Sequence, residues 1–397
     1  MKNQIKQLSQ QKTMPAALWA LTASIFAIGT TEVVMIGLLP TIAHELSVDI
    51  AKAGWIVTSY AIGVAVGGPL VTAFTSHVQR KKLLLLITLL FIFSNAIATF
   101  STGMSVLIIG RILSGVAHGV FVGIGANIAS SLVPEEKRAT AIAIMFTGLT
   151  VAMVTGVPLG TYIGQHFGWR YTFGGIAFIG VLCLLANSFL LPTHIQNTTT
   201  ISLKDQLKVL RNKSVLLGFS LTLFSFAALF GTFTYLSPLL EKITGFSTDN
   251  ITSILLLYGV FVALGNTLGG RLSNTAPIKT LIVLFALLTG TFILLYFALP
   301  FKTLTLFSVA LMGFLGFATV PGMQLYVIQL AEKHLKGAED VTSVLNISAF
   351  NVGIATGSYL GAFLLTTHGL KSIALMSAVF AGMAIVFSII SIRTETK

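Results

Sequence analysis

Two charged residues lie inside long apolar segments of this 397-residue sequence. Glu32 is the only Asp, Glu, Lys or Arg in segment 16–39, and Arg111 is the only one in segment 104–133. A charge at bilayer depth costs about 3 kcal/mol or more unless it faces a partner or a cavity, so such residues usually serve a function. Burial disfavours a charged carboxylate, whereas a neighbouring arginine favours it. Glu32 beside Arg111 could therefore bind and release protons, and a static ion pair between two helices is the alternative.

The segment of Arg111 also carries a titratable residue two helical turns further on. His118 follows Arg111 by seven residues, which places both on nearly the same face of a helix. Imidazole changes its charge near neutral pH, so His118 could relay protons or bind substrate. A histidine that is merely hydrogen-bonded at a helix interface is the alternative. A rise of 1.5 Å per residue places Glu32 roughly 12 Å and Arg111 roughly 9 Å from the same membrane surface, so they could share one site.

The composition indicates a membrane protein. Only 9% of the residues are charged and 55% are hydrophobic, whereas a soluble domain carries about 25% charged residues. The single cysteine, Cys183, excludes a disulfide framework. The sequence contains no Gly-x4-Gly-Lys-Ser/Thr motif for ATP and no His, Cys and acid cluster with metal-ligand spacing. We therefore expect no enzyme activity, no cofactor and no metal site.

The apolar runs predict twelve membrane spans, the first of which is retained rather than cleaved as a signal peptide. They lie near residues 16–40, 53–75, 83–100, 104–132, 139–165, 171–192, 215–240, 251–272, 280–299, 303–330, 341–366 and 372–392. The predicted architecture is an all-α membrane protein with an N-terminal six-helix bundle (1–192), a cytoplasmic central loop (193–214) and a C-terminal six-helix bundle (215–397).

The distribution of basic residues predicts the orientation. Most of the 24 lysines and arginines fall in the tails and loops on the side of the two termini. The positive-inside rule therefore places both termini in the cytoplasm. The net charge of +12 reflects this topology and does not indicate a nucleic-acid partner.

The two halves of the sequence repeat each other. A Gly-x3-Gly-x-Tyr-x-Gly pattern that begins at Gly156 in span 5 recurs from Gly353 in span 11. Tyr60 in span 2 matches Tyr258 in span 8 at nearly the same spacing. Two matches at nearly equal spacing predict two pseudo-symmetric bundles in parallel repeat.

The spans of the second half differ from those of the first, because their interiors contain no charged residue. Amides and phenols supply the polar groups there, and they could hydrogen-bond a substrate. The candidate substrate-contacting residues are Tyr235, Gln324, Tyr326, Asn346 and Asn351.

Three segments carry a family resemblance: Gly29-Thr-Thr-Glu with Gly37-Leu-Leu-Pro-Thr-Ile-Ala, Arg111-Ile-Leu-Ser-Gly-Val-Ala-His-Gly, and the glycine- and proline-containing part of span 5. Together they resemble the twelve-span drug:proton antiporters of the major facilitator superfamily, in particular the bacterial arabinose- and sugar-efflux permeases. The resemblance implies a central substrate cavity lined by spans 1, 4, 7 and 10, and proton coupling by Glu32 and Arg111. It also implies an export-associated motif formed by Gly148, Gly156, Pro158 and Gly160.

The loop between spans 2 and 3 departs from the family pattern, which usually reads Gly-x3-Asp-Arg-x-Gly-Arg-Arg. Ser76 stands in place of the acid and Gln79 in place of the second glycine. Arg80 and Lys81 remain. We expect these two residues in a cytoplasmic gate loop, in contact with the end of a neighbouring helix or with anionic headgroups.

The sequence as a whole predicts a proton-coupled exporter of small organic molecules, such as drugs, sugars or related metabolites, that works by alternating access. Its expected location is the bacterial cytoplasmic membrane. The expected partners are a small-molecule substrate, protons and the lipid bilayer, with no nucleic acid, and the expected assembly state is a monomer. The alternatives are a uniporter or proton symporter of a small polar metabolite, and a non-transporting receptor on the same fold.

Overall fold

A computed structural model describes residues 14–75, 78–134, 137–193, 203–273 and 276–395, and this part of the chain contains helices and no β-strand. Most spans are single helices, but spans 1, 2, 5 and 7 are built of consecutive pieces. In the first half, span 1 comprises Ala16–Val33 and Met35–Glu45; span 2 comprises Ile50–Ile62, the π-helical Gly63–Gly67 and Gly68–Phe74; span 3 is Arg80–Thr99; span 4 is Met104–Ser131; span 5 comprises Arg138–Val151, the π-helical Ala152–Gly156 and Val157–Ile163, with a π-helical turn Gly164–Gly168 after it; and span 6 is Trp169–Leu190.

The second half has the same number of spans, preceded by a short helix within the predicted central loop. The short helix is Leu203–Arg211. Span 7 comprises Lys213–Thr234, Leu236–Leu239 and the π-helical Leu240–Thr244. The remaining spans are single helices: span 8 is Thr248–Ser273, span 9 is Pro277–Ala298, span 10 is Lys302–His334, span 11 is Glu339–Thr367 and span 12 is Ser372–Glu395.

Spans 5 and 6 form one nearly continuous apolar stretch. Eleven segments of the described residues are long and apolar enough to cross a membrane, and one of them, Thr140–Leu190, has 51 residues. The chain reverses within it. The reversal brings the Thr172 hydroxyl within hydrogen-bond distance of the carbonyl of Gly160 (2.8 Å), to which it donates. Gly168 has φ +108°, a backbone conformation that favours glycine. The long segment therefore contains two antiparallel passes, and the twelve predicted spans are confirmed.

Local chemistry explains the start of span 2 and the presence of a proline inside span 1. Span 2 begins three residues before its predicted start, because Asp49 caps it by accepting a hydrogen bond from the backbone of Lys52 (2.7 Å). In span 1, Pro40 has no N–H group to donate to the carbonyl of Ile36, four residues earlier. The hydroxyl of Ser237 in span 7 donates to that carbonyl instead (2.7 Å).

The predicted repeat is present in the packing of the helices. A Cβ atom on Gly115 would overlap the carbonyl oxygen of Tyr60, so span 4 approaches the backbone of span 2 closely. In the second half, a Cβ on Gly313 would meet the carbonyl oxygen of Tyr258 in the same way. The two bundles are therefore pseudo-symmetric. Large apolar side chains such as Phe93 face outward, as lipid-facing residues do.

Candidate functional site

Arg111 joins three spans through their backbone. Its Nη1 donates to the carbonyl of Thr31 (2.7 Å), its Nε to that of Ile56 (3.2 Å) and its Nη2 to that of Glu32 (3.4 Å). The guanidinium is 1% exposed. These bonds go to backbone carbonyls rather than to the Glu32 carboxylate, so a simple ion pair between the two side chains does not describe the contact.

Two of the three carbonyls, those of Thr31 and Glu32, are available because span 1 is interrupted. Its first helix ends at Val33, and Thr31 and Glu32 lie in the last turn. The last carbonyls of a helix lack a full set of intrahelical donors, and a guanidinium presents several donors in a fixed fork. Arg111 therefore fixes the broken region of span 1 against spans 2 and 4.

Tyr60 of span 2 connects Arg111 to His118. The guanidinium carbon of Arg111 lies 4.1 Å from the centre of the Tyr60 ring. The cation thus lies against the face of an aromatic ring, where the two attract each other electrostatically. The Tyr60 hydroxyl lies 3.0 Å from Nδ1 of His118. The prediction that Arg111 and His118 share a helix face is confirmed by these two contacts with one side chain.

The Glu32 carboxylate completes a cluster of four residues, Glu32, Tyr60, Arg111 and His118, which we call the polar cluster. Its Oε2 lies 3.9 Å from His118 Nδ1, and the two side chains are 13% and 10% exposed. A neutral imidazole can accept the Tyr60 proton at Nδ1, whereas an imidazolium can donate from Nδ1 toward the carboxylate. The predicted pair and His118 are thus brought together in the structure.

This arrangement can hold a proton at membrane depth. With a neutral imidazole, an ionised Glu32 makes the cluster neutral, and a protonated Glu32 leaves the single positive charge of Arg111. One proton therefore changes the net charge of a buried site by one unit. Electrostatic interactions are strong in such a site because little water screens them.

The glycines of the span 5 motif lie against span 1. A Cβ on Gly148 would overlap the carbonyl oxygen of Thr22, and a Cβ on Gly156 would overlap the hydroxyl oxygen of Thr30. Both contacts require the absence of a side chain, so the motif sets a close packing of span 5 on the helix that carries Glu32.

The other two motif residues lie at the break of span 1. A Cβ on Gly160 would come to 2.7 Å from the side chain of Val34, the residue between the two pieces of span 1. Pro158 is the second residue of the piece Val157–Ile163, which directly follows a π-helical turn. The structure therefore packs the motif against the helix that carries Glu32 and against its break, and the association of the motif with export stays a prediction.

Two of the candidate substrate contacts lie in a chain of hydrogen bonds in the second half. Thr222 in span 7 donates to Asn346 Oδ1 (2.8 Å), and Asn346 Nδ2 donates to Gln324 Oε1 (2.7 Å). Gln324 Nε2 donates to Ser343 Oγ (2.6 Å). These amides already have protein partners across spans 7, 10 and 11, and their contact with substrate stays a prediction.

The other three candidates lie elsewhere. Tyr235 is fully buried at a break of span 7 and donates to the carbonyl of Ser358 (2.8 Å). The Tyr326 hydroxyl lies 2.6 Å from Oγ of Ser391 in span 12. Asn351 donates to its own helix. The structure therefore does not gather the five residues into one site, and their roles also stay predictions.

Lys81 of the predicted gate loop contacts the end of a neighbouring helix. Its Nζ donates to the carbonyls of Ser188 (2.8 Å) and Leu191 (2.6 Å), at the end of span 6. Arg80 is buried at the start of span 3. Ser76, which replaces the family's acid, lies outside the described residues.

Tyr60 belongs to the polar cluster but is absent from the candidate site residues that the sequence indicates. It contacts both Arg111 and His118, yet a tyrosine in an apolar span is ordinary on its own. The available signal was its recurrence as Tyr258, which marks the same helix crossing in each half.

Comparison with known proteins identifies the family. A model of the Major Facilitator Superfamily matches residues 21–348. The chain belongs to the major facilitator superfamily. The uncharacterized MFS-type transporter YtbD of Bacillus subtilis (strain 168) is 46% identical to this major facilitator protein over 362 residues, which cover 91% of each chain. The inner membrane transport protein YdhP of Escherichia coli (strain K12) is 35% identical over 385 residues, which cover 96% of this chain and 97% of YdhP.

A solved structure has the same fold. It is a bacterial homolog to the human lysosomal transporter Spinster, in an inward-facing and occupied conformation. The superposition has a TM-score of 0.75 at 16% identity and covers 95% of this chain and 96% of that one. With its relatives and its twelve spans, this major facilitator protein is a multi-pass membrane transporter.

Proposed function

We propose that this transporter is a proton-coupled exporter of small organic molecules such as drugs, sugars or related metabolites. We also propose that it lies in the bacterial cytoplasmic membrane with both termini in the cytoplasm. The basic residues on the terminal side support the orientation. The observation that carries the coupling is the position of the Glu32 carboxylate, inside a membrane span and 3.9 Å from His118.

Protonation of Glu32 is the step that couples the two fluxes. The carboxylate accepts a proton and becomes a neutral acid, which removes its attraction for the buried charge of Arg111. Arg111 holds the break of span 1 against spans 2 and 4 through three backbone carbonyls. A change of charge at Glu32 therefore acts directly on the contact among three helices of the N-terminal bundle.

Contacts between the two halves support alternating access. We call the membrane side opposite to the termini the far side. There, Ser237 of span 7 donates to the carbonyl of Ile36 (2.7 Å), and Ser358 of span 11 donates to the carbonyl of Gly54 (3.3 Å). These bonds close the halves against each other on the far side, which in the proposed orientation is the outside.

Transport by purified protein in liposomes tests the coupling. With an imposed proton gradient, efflux is measured for an organic cation (ethidium), chloramphenicol and arabinose. Glu32→Gln keeps the size of the side chain but cannot ionise, so gradient-driven flux should fall at least 100-fold. Glu332→Gln removes an exposed carboxylate near the end of span 10 and should leave the flux unchanged. Full gradient-driven efflux by Glu32→Gln would exclude the proposed role.

The same liposomes distinguish the alternative functions. A uniporter would move the probe at a rate that a protonophore does not change. A proton symporter would move it in the direction of the protons. A non-transporting receptor would show no counterflow of labelled probe.

A further inference from the structure

A groove of about 370 Å³ lies between spans 3 and 6, on the side of the termini. It has one polar end and one apolar wall. Lys81, Lys82 and Gln79 line the polar end, and leucines of spans 3 and 6 line the wall. The groove is separate from the polar cluster, which lies among spans 1, 2 and 4.

The apolar wall faces the bilayer. Leu86 and Leu89 of span 3 are 50% and 52% exposed, and Leu184 of span 6 lies on the opposite side of the groove. Exposed leucines of a membrane span face hydrocarbon, so the wall suits an acyl chain.

The polar end is positively charged and not neutralised by the contacts of its lysines. Lys81 donates to two carbonyls at the end of span 6, whose partial negative charge offsets only part of the lysine charge. Lys82 is exposed and makes no hydrogen bond or ion pair with the described residues. None of the residues that line the groove is acidic. Gln79, before the first turn of span 3, accepts no capping hydrogen bond, so the partial positive charge of the helix start adds to that of the lysines.

We propose that this groove binds one anionic phospholipid of the cytoplasmic leaflet. Its phosphate lies at Lys82 and Lys81, and one acyl chain lies along the leucines. Charge complementarity selects the anionic headgroup, because juxtamembrane lysines attract anionic lipids. A free phosphate ion would leave the apolar wall uncovered. The choice of leaflet rests on the proposed orientation, whereas the binding itself does not depend on proton coupling.

Native mass spectrometry of the full-length protein in detergent tests the site. The protein is mixed with phosphatidylglycerol or with phosphatidylcholine of the same acyl chains, and the bound lipid is counted. We expect phosphatidylglycerol to bind more strongly, and Lys82→Ala to weaken it about fivefold. Lys279→Ala is the matched control, because Lys279 is an exposed lysine at the start of span 9 and the repeat counterpart of Lys81. Lys279→Ala should leave the binding of the first phosphatidylglycerol molecule per protein unchanged.

Two further arms separate a lipid from a phosphate ion. Leu86→Trp fills the groove without changing its charge, and should reduce phosphatidylglycerol binding as much as Lys82→Ala does. Inorganic phosphate at millimolar concentration should not displace the lipid. Equal binding of the two lipids, the same loss in Lys82→Ala and Lys279→Ala, or full displacement by phosphate would overturn the proposal. Because transport is not measured, failure here is distinct from failure of the coupling role of Glu32.

Discussion

Tyr60 and Tyr258 occupy the same place in the two halves but have opposite surroundings. The Tyr60 hydroxyl lies 3.0 Å from His118, and its ring lies beneath Arg111. The Tyr258 ring stacks on Phe233 with 4.3 Å between ring centres. The Tyr258 hydroxyl is buried and has no hydrogen-bond partner among the described residues.

The repeat explains the difference. At the spacing that relates Tyr60 to Tyr258, the counterparts of Glu32, Arg111 and His118 are apolar or lack a side chain. They are Phe230, Val309 and Gly316. The crossing of helices is nearly the same in both halves, since each places a tyrosine carbonyl against a glycine. The packing of the fold therefore does not require the polar cluster, which points to a function for the residues that form it.

The largest expected effect comes from comparing Arg111 with its counterpart Val309. Arg111→Met leaves the carbonyls of Thr31 and Glu32 without their donor, and each unsatisfied buried group costs about 1–3 kcal/mol. The carbonyl of Ile56 keeps a hydrogen bond from the Ser59 hydroxyl (3.3 Å). Removal of a buried charge offsets part of that cost. We expect a net loss of about 3 kcal/mol in the free energy of unfolding and a fall in transport of at least 100-fold. Thermal unfolding in detergent and the liposome assay measure the two effects.

Val309→Ala is the control in the second half. Val309 is fully buried, and its truncation should cost about 1 kcal/mol and leave transport nearly unchanged. If Arg111→Met were no less stable than Val309→Ala, the three carbonyl bonds would not stabilise the first half as described.

The sequence predicted the positions of these residues better than their partners. A fixed rise per residue gives depth, so Glu32 and Arg111 were expected at one level, and Arg111 does reach the backbone of Glu32. The bond itself was not predictable, because backbone carbonyls are present at every position. Only the break after Val33, which the sequence does not mark clearly, makes those of Thr31 and Glu32 available.

The second half illustrates another limit. Residue type identifies a polar group, but the rotation of its helix decides what it faces. Tyr326 and Asn346 looked equivalent as substrate contacts, yet one reaches span 12 and the other a chain of hydrogen bonds with Gln324. Hydropathy is the same for any rotation, so it predicted twelve spans without the direction of each side chain.

The next effect concerns the contact between the halves. On the far side, the first half contributes backbone carbonyls and the second half contributes hydroxyl donors. Gly54 also allows the approach of Tyr235, because a Cβ at Gly54 would overlap the tyrosine hydroxyl. Gly54→Ala should therefore disfavour the closed far side by about 1–3 kcal/mol, an overpacking cost that shifts the population ratio about 5- to 150-fold.

Labelling of a buried cysteine on the far side measures that shift. With Cys183→Ser as background, Ser237→Cys places a thiol at a fully buried position of the contact. A membrane-impermeant maleimide should react several-fold faster in Gly54→Ala. Gly123→Ala is the matched control, because a Cβ there would meet no atom within 4 Å. Equal labelling rates in the two alanine variants would contradict the role of Gly54.

The smallest and sharpest test removes one hydroxyl from each half. Tyr60→Phe keeps the ring beneath Arg111 but loses the bond to His118, so stability should fall by about 1 kcal/mol. Tyr258→Phe removes a buried hydroxyl that has no partner among the described residues, so stability should rise by up to about 1–3 kcal/mol. Thermal unfolding should therefore show that the same chemical change lowers the stability of Tyr60→Phe and raises that of Tyr258→Phe.

The pH dependence of transport should change in Tyr60→Phe and not in Tyr258→Phe, because only the Tyr60 hydroxyl contacts a titratable partner in the polar cluster. A loss of stability in Tyr258→Phe would mean that its hydroxyl is bonded, and the contrast between the halves would then be smaller than their contacts indicate.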